Sequence, residues 1–243
     1  MSLPTPYFDY NGITIYHGDC LDFCSELLPV DLLIADPPFF MPIKHYAARS
    51  EWARAWGDTS VLSSWWNHAL TLLTPRIADS GSAFVFCDDE SYSVFYPPLY
   101  VRFPALSALV WNKGRIGMGS PWRHSFEFIL HARTGISKWC GSAGESDVLN
   151  FSPVAFAVRD HPVSKPRPLL SKLISVTTNP GDIVLDPFMG GGSTLDAARD
   201  LGRRAIGIEI EERYCEIAAR RLAQSVLALE PAARTAAKEG GNE

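Results

Sequence analysis

The sequence predicts an α/β fold, in which a doubly wound, Rossmann-like mixed sheet of seven strands carries helices on both faces. Two observations lead to this prediction. Short apolar runs alternate along the chain with segments of helical periodicity, a pattern typical of a largely parallel sheet covered by helices. The 243 residues, 47% of them hydrophobic, are also enough to bury one substantial core.

The seven predicted strands are short runs rich in apolar and β-branched residues. They cover residues 12–16, 31–35, 82–86, 106–111, 126–130, 182–185 and 204–208. The fourth and fifth strands flank a polar connection and are expected to pair as a hairpin, which makes the sheet mixed rather than wholly parallel.

The predicted helices show apolar residues at helical spacing, and proline or glycine bounds several of them. They cover residues 21–28, 60–73, 168–177, 193–201 and 211–229. Residues 40–58 and 132–162 lack such periodicity and are predicted to be loops. Residues 230–243 consist mostly of alanine, glycine and charged side chains, and we expect a disordered tail there.

Composition argues against a membrane span and a disulfide framework. No apolar stretch approaches the ~18 residues that cross a bilayer, and the first residues show no signal peptide. The five cysteines include no Cys-x-x-Cys pair, so a reducing cytoplasm is the expected compartment. Cys20 and Cys24 are four residues apart, but the neighbouring sequence offers no further cluster of ligands, and no metal ion is expected.

The charge is unevenly distributed along the chain. The net charge of −5 argues weakly against a nucleic-acid partner. Residues 102–172, however, contain ten lysines and arginines against four acidic residues, so this segment carries +6 and the remainder −11. A basic middle on an acidic body suits a protein that contacts a polyanion with one face, although a solvated charged surface explains the same charges equally well.

A glycine-rich turn follows the predicted strand 182–185. Gly190, Gly191 and Gly192 allow a ligand to approach the backbone N–H groups at the start of the next helix. Ser193 or Thr194 is expected to cap that helix. Such a turn beyond the carboxyl end of a strand predicts a nucleoside-containing cofactor.

Three details distinguish this turn from a dinucleotide or phosphate site. Leu195 breaks the G-x-G-x-x-G pattern, and no lysine follows the glycines. Asp186 stands at the mouth of the turn, where its carboxylate repels a pyrophosphate but suits a cationic ammonium. Glu209, 19 residues after Gly190, ends the next strand and can accept hydrogen bonds from ribose hydroxyls. These features favour S-adenosylmethionine, with a nicotinamide-dependent oxidoreductase as an alternative.

A second motif, Asp36-Pro37-Pro38-Phe39, follows the predicted strand 31–35. The Asp36 carboxylate and the Pro37 carbonyl can accept both hydrogens of an exocyclic amino group, which frees the nitrogen lone pair for attack. Pro38 stiffens the turn, and Phe39 offers a face on which a flipped base can stack. A rigid turn that merely ends a strand is an equally good explanation of this motif taken alone.

The two motifs in this order resemble those of the DNA amino-methyltransferases of the permuted β group, which act on N6 of adenine or N4 of cytosine. The resemblance covers about residues 10–225. It implies S-adenosylmethionine as cofactor, DNA as partner and a circularly permuted order of the methyltransferase motifs. It also implies one methyltransferase domain over residues 1–243, with residues 112–162 as an inserted target-recognition region.

Further segments take part in the resemblance and assign roles to their residues. Asp19 and Cys20 lie in the segment that reaches toward the cofactor adenine. Lys165 belongs to the His-Pro-x-x-Lys-Pro element at the methionine end of the cofactor, and Phe188 belongs to the cofactor motif itself. The strand pair around residues 112–125 matches the late strand pair of the family.

The same resemblance favours adenine as the target. Aspartate at the first position of the catalytic motif is commoner among adenine enzymes and serine among N4-cytosine enzymes, so Asp36 predicts transfer to N6 of adenine. Phe39 stands where the family most often has tyrosine, which preserves stacking but removes a hydroxyl. An N4-cytosine enzyme is the first alternative, and a non-catalytic cofactor- or DNA-binding module is the second.

The basic middle is where we expect DNA to bind. Lys113, Arg115, Arg123 and His124 are candidates for phosphate contacts, and arginine also reads guanine edges. The recognition sequence is expected to be short. The predicted partner is thus DNA, without a membrane, and a homodimer is left open.

Overall fold

The computed structural model describes residues 3–39, 58–117, 119, 121–154 and 164–236, and for residues 225–236 it describes the backbone alone. Nearly all of the loop predicted over 40–58 lies outside the described residues. So does the His161-Pro162-Val163 part of the element that contains Lys165.

Nine strands of the described residues form one sheet, in the order β1-β2-β9-β8-β3-β4-β6-β5-β7. They are β1 Phe8–Tyr10, β2 Ile13–His17, β3 Val30–Ala35, β4 Ile77–Cys87, β5 Ala105–Asn112, β6 Phe126–Arg133, β7 Val148–Asn150, β8 Ile183–Asp186 and β9 Arg204–Glu209. The seven predicted strands are all present, and the α/β fold class is confirmed. The two added strands, β1 and β7, have three residues each and lie at the two edges of the sheet. Runs so short carry no readable alternation, so the sequence did not predict them.

Six α-helices connect or follow the strands within the described residues. They are α1 Cys20–Phe23, α2 Thr59–Leu73, α3 Asp89–Arg102, α4 Arg167–Thr177, α5 Ser193–Asp200 and α6 Glu212–Ala236. Short 3-10 turns extend α1 over Cys24–Glu26 and α2 over Thr74–Arg76. The segment predicted as one helix over 21–28 is therefore one α-helical turn followed by a 3-10 turn.

The centre of the sheet is parallel and its β6–β5 side is antiparallel. Strands β2, β9, β8, β3 and β4 pair in parallel, whereas β6 is antiparallel to both β4 and β5. The predicted hairpin is confirmed, because Asn112 at the end of β5 pairs with Phe126 at the start of β6. After β3 the chain moves to β4 on one side, and after β8 it moves to β9 on the other. The junction of β3 and β8 is thus the topological switch point of the sheet.

Three helices of the described residues cover each face of the sheet. On one face α1, α2 and α3 pack over a core that includes Trp66, Phe95 and Leu33. On the other, α4, α5 and α6 pack over a core that includes Leu173 and Ile34. Successive residues of β3 enter opposite cores, as the alternation of side chains along a buried strand requires.

Helix α3 is absent from the sequence-based prediction. Pro97 and Pro98 lie inside it, and proline in a helix interior normally argues against a helix because it removes a backbone donor. The helix forms nevertheless, with Asp88 as its N-cap: the Ser91 N–H donates to the Asp88 carboxylate over 2.7 Å. Tertiary burial of residues such as Phe95 outweighs the local preference.

Helix α6 continues past the predicted end at 229. It extends to Ala236, and the alanine-rich sequence after Pro231 has high helix propensity. The helix thus overlaps the first residues of the tail predicted over 230–243, whose disorder stays a prediction. No helix of the described residues is both long and apolar enough to cross a membrane.

An ion bridge joins β3 to β8 at the edge opposite their carboxyl ends. The Lys138 ammonium lies 2.9 Å from a carboxylate oxygen of Asp31 and 2.9 Å from one of Asp182. Asp31 also accepts the Ile183 N–H over 2.9 Å. One carboxylate at the start of β3 therefore fixes both the lysine and the first residue of β8.

We predict that Lys138→Met lowers the free energy of unfolding by about 1–3 kcal/mol, because it leaves two partly buried carboxylates without their shared donor. Urea denaturation followed by circular dichroism measures the change. Arg204→Ala, which removes an exposed cation from the same edge of the sheet, should change it by less than about 0.5 kcal/mol. Equal stability of the Lys138 variant and the wild type would show that the bridge is not stabilising.

Candidate active site

The two aspartate motifs meet at the switch point. Leu33 of β3 pairs with Leu185 of β8, so Asp36 lies only about two residues, or ~7 Å along the strand direction, beyond the level of Asp186. The charge of Asp36 contributes to raising the pKa of Asp186, as expected for carboxylates at neighbouring strand ends. The pairing of β3 with β8 therefore sets the two motifs side by side.

Asp186 is buried at the mouth of the glycine-rich turn. Its carboxylate accepts the Phe188 N–H over 3.0 Å and a hydrogen bond from the Thr194 hydroxyl. Burial nevertheless raises the pKa of Asp186 to about 7, because these donors only partly replace water. The carboxyl group is therefore poised to gain from a cationic partner.

The glycine turn is tightly packed against α6. Gly190 and Gly192 have φ values of +50° and +78°, which disfavour other residues. A Cβ at Gly192 would lie 2.7 Å from the Cβ of Ala218. Gly192 itself is the N-cap of α5, without a side-chain cap. The predicted cap by Ser193 or Thr194 is therefore wrong: Thr194 is turned inward to Asp186.

Glu209 ends β9 beside this turn. One of its carboxylate oxygens accepts the Gly190 N–H over 2.9 Å, and the other accepts the Glu211 N–H over 2.8 Å. Each oxygen keeps a second lone pair for a ligand hydroxyl. Burial raises the pKa of Glu209, and the backbone donors oppose that rise.

Asp19 lies next to Glu209 because β2 pairs with β9. The Gly18 N–H donates to the Glu209 carbonyl over 2.9 Å, and the Asp19 side chain caps α1 by accepting the Leu21 N–H over 3.0 Å. Cys20 faces the other way. It is buried in the core, where a hydrogen bond with Cys24 and burial raise the pKa of its thiol, which stays neutral.

Lys165 lies against the catalytic motif. Its ammonium is 2.7 Å from Oδ2 of Asp36 and 3.3 Å from Oε2 of Glu127, and its side chain is 7% exposed. Burial alone would lower the pKa of Lys165, but Asp36 and Glu127 raise it, so the lysine stays charged. The sequence assigned this lysine to the cofactor; the structure commits its ammonium to two carboxylates.

Asp36 presents its other oxygen without a partner. Oδ1 is buried and accepts no hydrogen bond from the described residues, although a quarter of the side chain remains exposed. Burial raises the pKa of Asp36, Lys165 lowers it and Glu127 raises it again. A buried carboxylate oxygen without a donor is costly, so this atom is suited to accept from a substrate.

Aromatic rings line this site. Phe39 is half-buried and packs against both core clusters, with the Lys165 ammonium 5.3 Å from its ring centroid. Pro37 before it is buried and Pro38 half-buried. The ring of Phe188 lies 5.8 Å from that of Trp65.

Sequence reasoning missed Glu127. It is the one acidic residue of strand β6, and its Oε1 accepts from the Lys113 ammonium over 2.7 Å. Burial would raise the pKa of Glu127, but Lys165 and Lys113 lower it, so it is ionised. The sequence offered one signal for Glu127, its position in a strand predicted to be part of the sheet. A carboxylate that is buried in a strand seldom lacks a charged partner.

The candidate DNA-binding residues divide into two pairs on the β5–β6 hairpin. Lys113 is engaged by Glu127, and His124 lies 3.5 Å from an Asp89 carboxylate oxygen. Arg115 and Arg123 are exposed, although Nε of Arg123 donates to the Gly117 carbonyl. Trp122, 88% exposed beside Arg123, was not among the predicted residues.

The profile of the DNA methylase family, N6_N4_Mtase, matches residues 30–220. This span contains both aspartate motifs and both strands of the switch point. The chain belongs to this family. No group of three or more histidine, cysteine or acidic side chains among the described residues is arranged to hold a metal ion.

Relatives and solved structures match nearly the whole chain. The type II methyltransferase M2.DpnII of Streptococcus pneumoniae is 30% identical over 89% of this chain and 92% of its own length. The DNA adenine methyltransferase YhdJ of Escherichia coli (strain K12) is 27% identical over 88% of this chain and 84% of its own. The crystal structure of the M1.HpyAVI–SAM complex superposes with a TM-score of 0.65 at 29% identity, over 86% of this chain and 99% of that one. The chain is thus a DNA amino-methyltransferase that uses S-adenosylmethionine.

We predict that the affinity for S-adenosylmethionine rises with pH up to about 7 and then levels off, because Asp186 must be ionised to pair with the ammonium of the methionine moiety. Below that pH, each unit should weaken binding by up to about tenfold. Calorimetric titration between about pH 5.5 and 7.5 stays below the pKa of the ligand amine and measures this.

Asp186→Asn should bind more weakly and without this dependence. As the control, Glu209→Ala should weaken binding by about 1–3 kcal/mol, the cost of leaving ribose hydroxyls unpaired, and keep the dependence. A wild-type affinity that does not change over this range would contradict the role of Asp186.

Proposed function

We propose that this methyltransferase transfers the methyl group to the exocyclic N6 nitrogen of adenine in DNA, within a short recognition sequence and on a base flipped out of the duplex. The observation that carries the proposal is the orphaned Oδ1 of Asp36. The other oxygen of this carboxylate is held by Lys165, so Oδ1 is the acceptor of Asp36 that has no partner among the described residues. An amino group, with N–H donors and no negative charge, matches that acceptor.

The chemistry follows from the weakness of an aromatic amine as a nucleophile, since its lone pair is delocalised into the ring. Asp36 Oδ1 and the Pro37 carbonyl accept the two amino hydrogens out of the base plane and free the lone pair. When bound, S-adenosylmethionine supplies a methyl group on a cationic sulfur. As the N–C bond forms and the C–S bond breaks, the amino nitrogen sheds one proton, which Asp36 receives. Rate enhancement comes from positioning and fixed charges.

The residues at the glycine turn fit the cofactor. The turn admits a ligand against its backbone at Gly190 and Gly192, and Asp186 supplies a buried carboxylate for an ammonium. Glu209 and Asp19, brought together by β2 and β9, supply acceptors for the ribose and adenine ends. The remaining residues assigned to the cofactor side of the site are Phe188, Ser193 and Thr194. Cys20 contributes through its backbone, since its thiol is buried in the core.

Adenine is preferred to cytosine for two reasons. The catalytic motif opens with Asp36, as in most adenine enzymes of the group. The relative YhdJ, similar over 88% of this chain, is named a DNA adenine methyltransferase. Phe39 provides the stacking face for the flipped base, with the Lys165 ammonium above its ring.

Nucleoside mass spectrometry of DNA treated with the purified protein and S-adenosylmethionine tests the proposal. We expect 6-methyladenine, and we expect Asp36→Asn to lower kcat by at least about 100-fold while the cofactor affinity stays within about twofold. The asparagine keeps the shape of the side chain and serves as its own packing control. The appearance of 4-methylcytosine without 6-methyladenine would refute the choice of base. Inactivity of the wild type and the variant alike on varied DNA, with cofactor still bound, would favour a binding module.

We also propose that the β5–β6 hairpin is the centre of the target-recognition region 112–162. It projects from the carboxyl-end edge of the sheet, where Asp36 lies, and presents Arg115, Arg123 and the exposed Trp122. Two arginines beside an exposed aromatic ring combine phosphate attraction with a surface for stacking on bases. Lys113 and His124, which are paired with acids, support the hairpin.

We predict that the double variant Arg115→Ala, Arg123→Ala raises the Kd for DNA about 10-fold or more and lowers the slope of log Kd against log salt by about one to two, because each phosphate contact releases counterions. Fluorescence anisotropy at several salt concentrations measures both. Arg204→Ala, an exposed arginine at the opposite edge of the sheet, should leave them unchanged. An unaltered salt slope in the double variant would place the DNA elsewhere.

Two predictions concern the state of the protein in the cell. All five cysteines lie within the described residues and are free, which supports the proposal of a reducing cytoplasm. The sequence left a homodimer open, and sedimentation of the purified protein tests for it.

A further inference from the structure

A chain of four alternating charges runs from the hairpin into the catalytic motif. The Lys113 ammonium lies 2.7 Å from Oε1 of Glu127, whose Oε2 lies 3.3 Å from the Lys165 ammonium, which in turn lies 2.7 Å from Oδ2 of Asp36. Every distance is within reach of a charge-assisted hydrogen bond or a close ion pair. The chain of charges therefore links Glu127 of β6 with side chains from the segments after β3, after β5 and before α4.

Glu127 determines how many carboxylates share the Lys165 ammonium. Lys165 is almost fully buried, so its charge requires anionic partners. Without Glu127, the ion-pair partner left to it among the described residues is Asp36. An ammonium has three hydrogens and would then spread over both oxygens of Asp36. With Glu127 in place, the lysine is shared, Oδ2 alone is occupied and Oδ1 stays without a partner.

We propose that Glu127 is a positioning residue for methyl transfer: through Lys165 it keeps the Oδ1 atom of Asp36 open for the amino group of the target base. The proposal rests on the function proposed above. It reassigns Lys165 from the cofactor to the catalytic carboxylate, and it gives Glu127 a role that does not require contact with the substrate.

The surrounding charges give the proposal a signature in the pH dependence. Asp36 faces Lys165, Glu127 and, farther away, Lys113, and its charge also acts on Asp186. Glu127 raises the pKa of Asp36 and Lys165 lowers it. Loss of Glu127 should therefore move the acid limb of the kcat–pH profile to lower pH, and loss of Lys165 should move it to higher pH. A merely structural role predicts no such pair of opposite displacements.

The experiment compares Glu127→Gln and Lys165→Met with the wild type in kcat–pH profiles on methylatable DNA, with cofactor affinity measured alongside. For Glu127→Gln we expect kcat to fall about 10- to 100-fold, the affinity for S-adenosylmethionine to change by less than about twofold and the acid limb to move down. For Lys165→Met we expect a larger fall in kcat and an acid limb that moves to higher pH. Lys138→Met is the matched control, because Lys138 also bridges two aspartates, at the opposite edge of β3 and β8. Assayed well below its melting temperature, it should keep the wild-type kcat and profile.

The outcomes separate the two proposals. If the wild type methylates DNA while Glu127→Gln keeps its kcat and profile, the positioning role is refuted and the proposed function stands. If Glu127→Gln or Lys165→Met acts on cofactor affinity and leaves kcat unchanged, the lysine belongs to the cofactor and the inference is also overturned. A wild type that methylates neither base refutes the proposed function itself. Glu127→Gln preserves side-chain volume, so it carries the test alone if Lys165→Met does not fold.

Discussion

The parallel pairing of β3 with β8 is the constraint on which the rest of the site depends. At one edge, Asp31 binds both the Lys138 ammonium and the Ile183 N–H, which fixes the register of the two strands. Because side chains repeat every two residues, that register determines that Asp36 and Asp186 emerge at the same opposite edge. After β3 and after β8 the chain moves to opposite sides of the sheet, so a crevice opens between the two carboxylates. The site thus follows from strand pairing before any substrate contact is made.

Two carboxylates buried in one crevice repel each other and lose hydration, and the protein gives them different partners. Asp36 receives the Lys165 ammonium and is held as an anion with one free oxygen. Asp186 receives only neutral donors, and burial raises its pKa to about 7. Asp36 is paired with the Lys165 ammonium and Asp186 has no cationic partner among the described residues, so Asp186 can pair with a cationic ligand. In the proposed function, this division gives one strand end to the base and the other to the cofactor.

Much of this arrangement is encoded locally and could be predicted from sequence. Strand-length apolar runs predicted the α/β class and the seven strands that form the body of the sheet. The Asp-Pro motifs after two of these runs, at Asp36 and Asp186, predicted the two halves of the site. What failed depended on tertiary contacts. Helix α3 contains Pro97 and Pro98 and forms only because burial outweighs propensity. Thr194 turns away from the helix end because the buried Asp186 needs a donor.

The partners of Lys165 lay equally beyond sequence reasoning. Glu127 is 38 residues from it along the chain, on an antiparallel strand whose register no local pattern reveals. A motif in the sequence identifies which residues belong to a site, whereas the pairing of their charges depends on which strands become neighbours. For that reason the candidate residues were found and the ion-pair chain among them was not.

The permuted order of the two motifs gives the hairpin its significance. In this order the chain must pass from Asp36 through β4, α3, β5 and β6 before it reaches Asp186, so the β5–β6 hairpin is built between the two halves of the site. Lys113 follows the last residue of β5, and Glu127 is the second residue of β6. Their side chains bind each other over 2.7 Å, while the exposed Arg115, Trp122 and Arg123 lie farther out. The same hairpin therefore contacts the buried Lys165 ammonium through Glu127 and exposes its tip to solvent. In the proposed function, one hairpin therefore carries both the exposed arginines offered to DNA and the carboxylate that shares the Lys165 ammonium with Asp36.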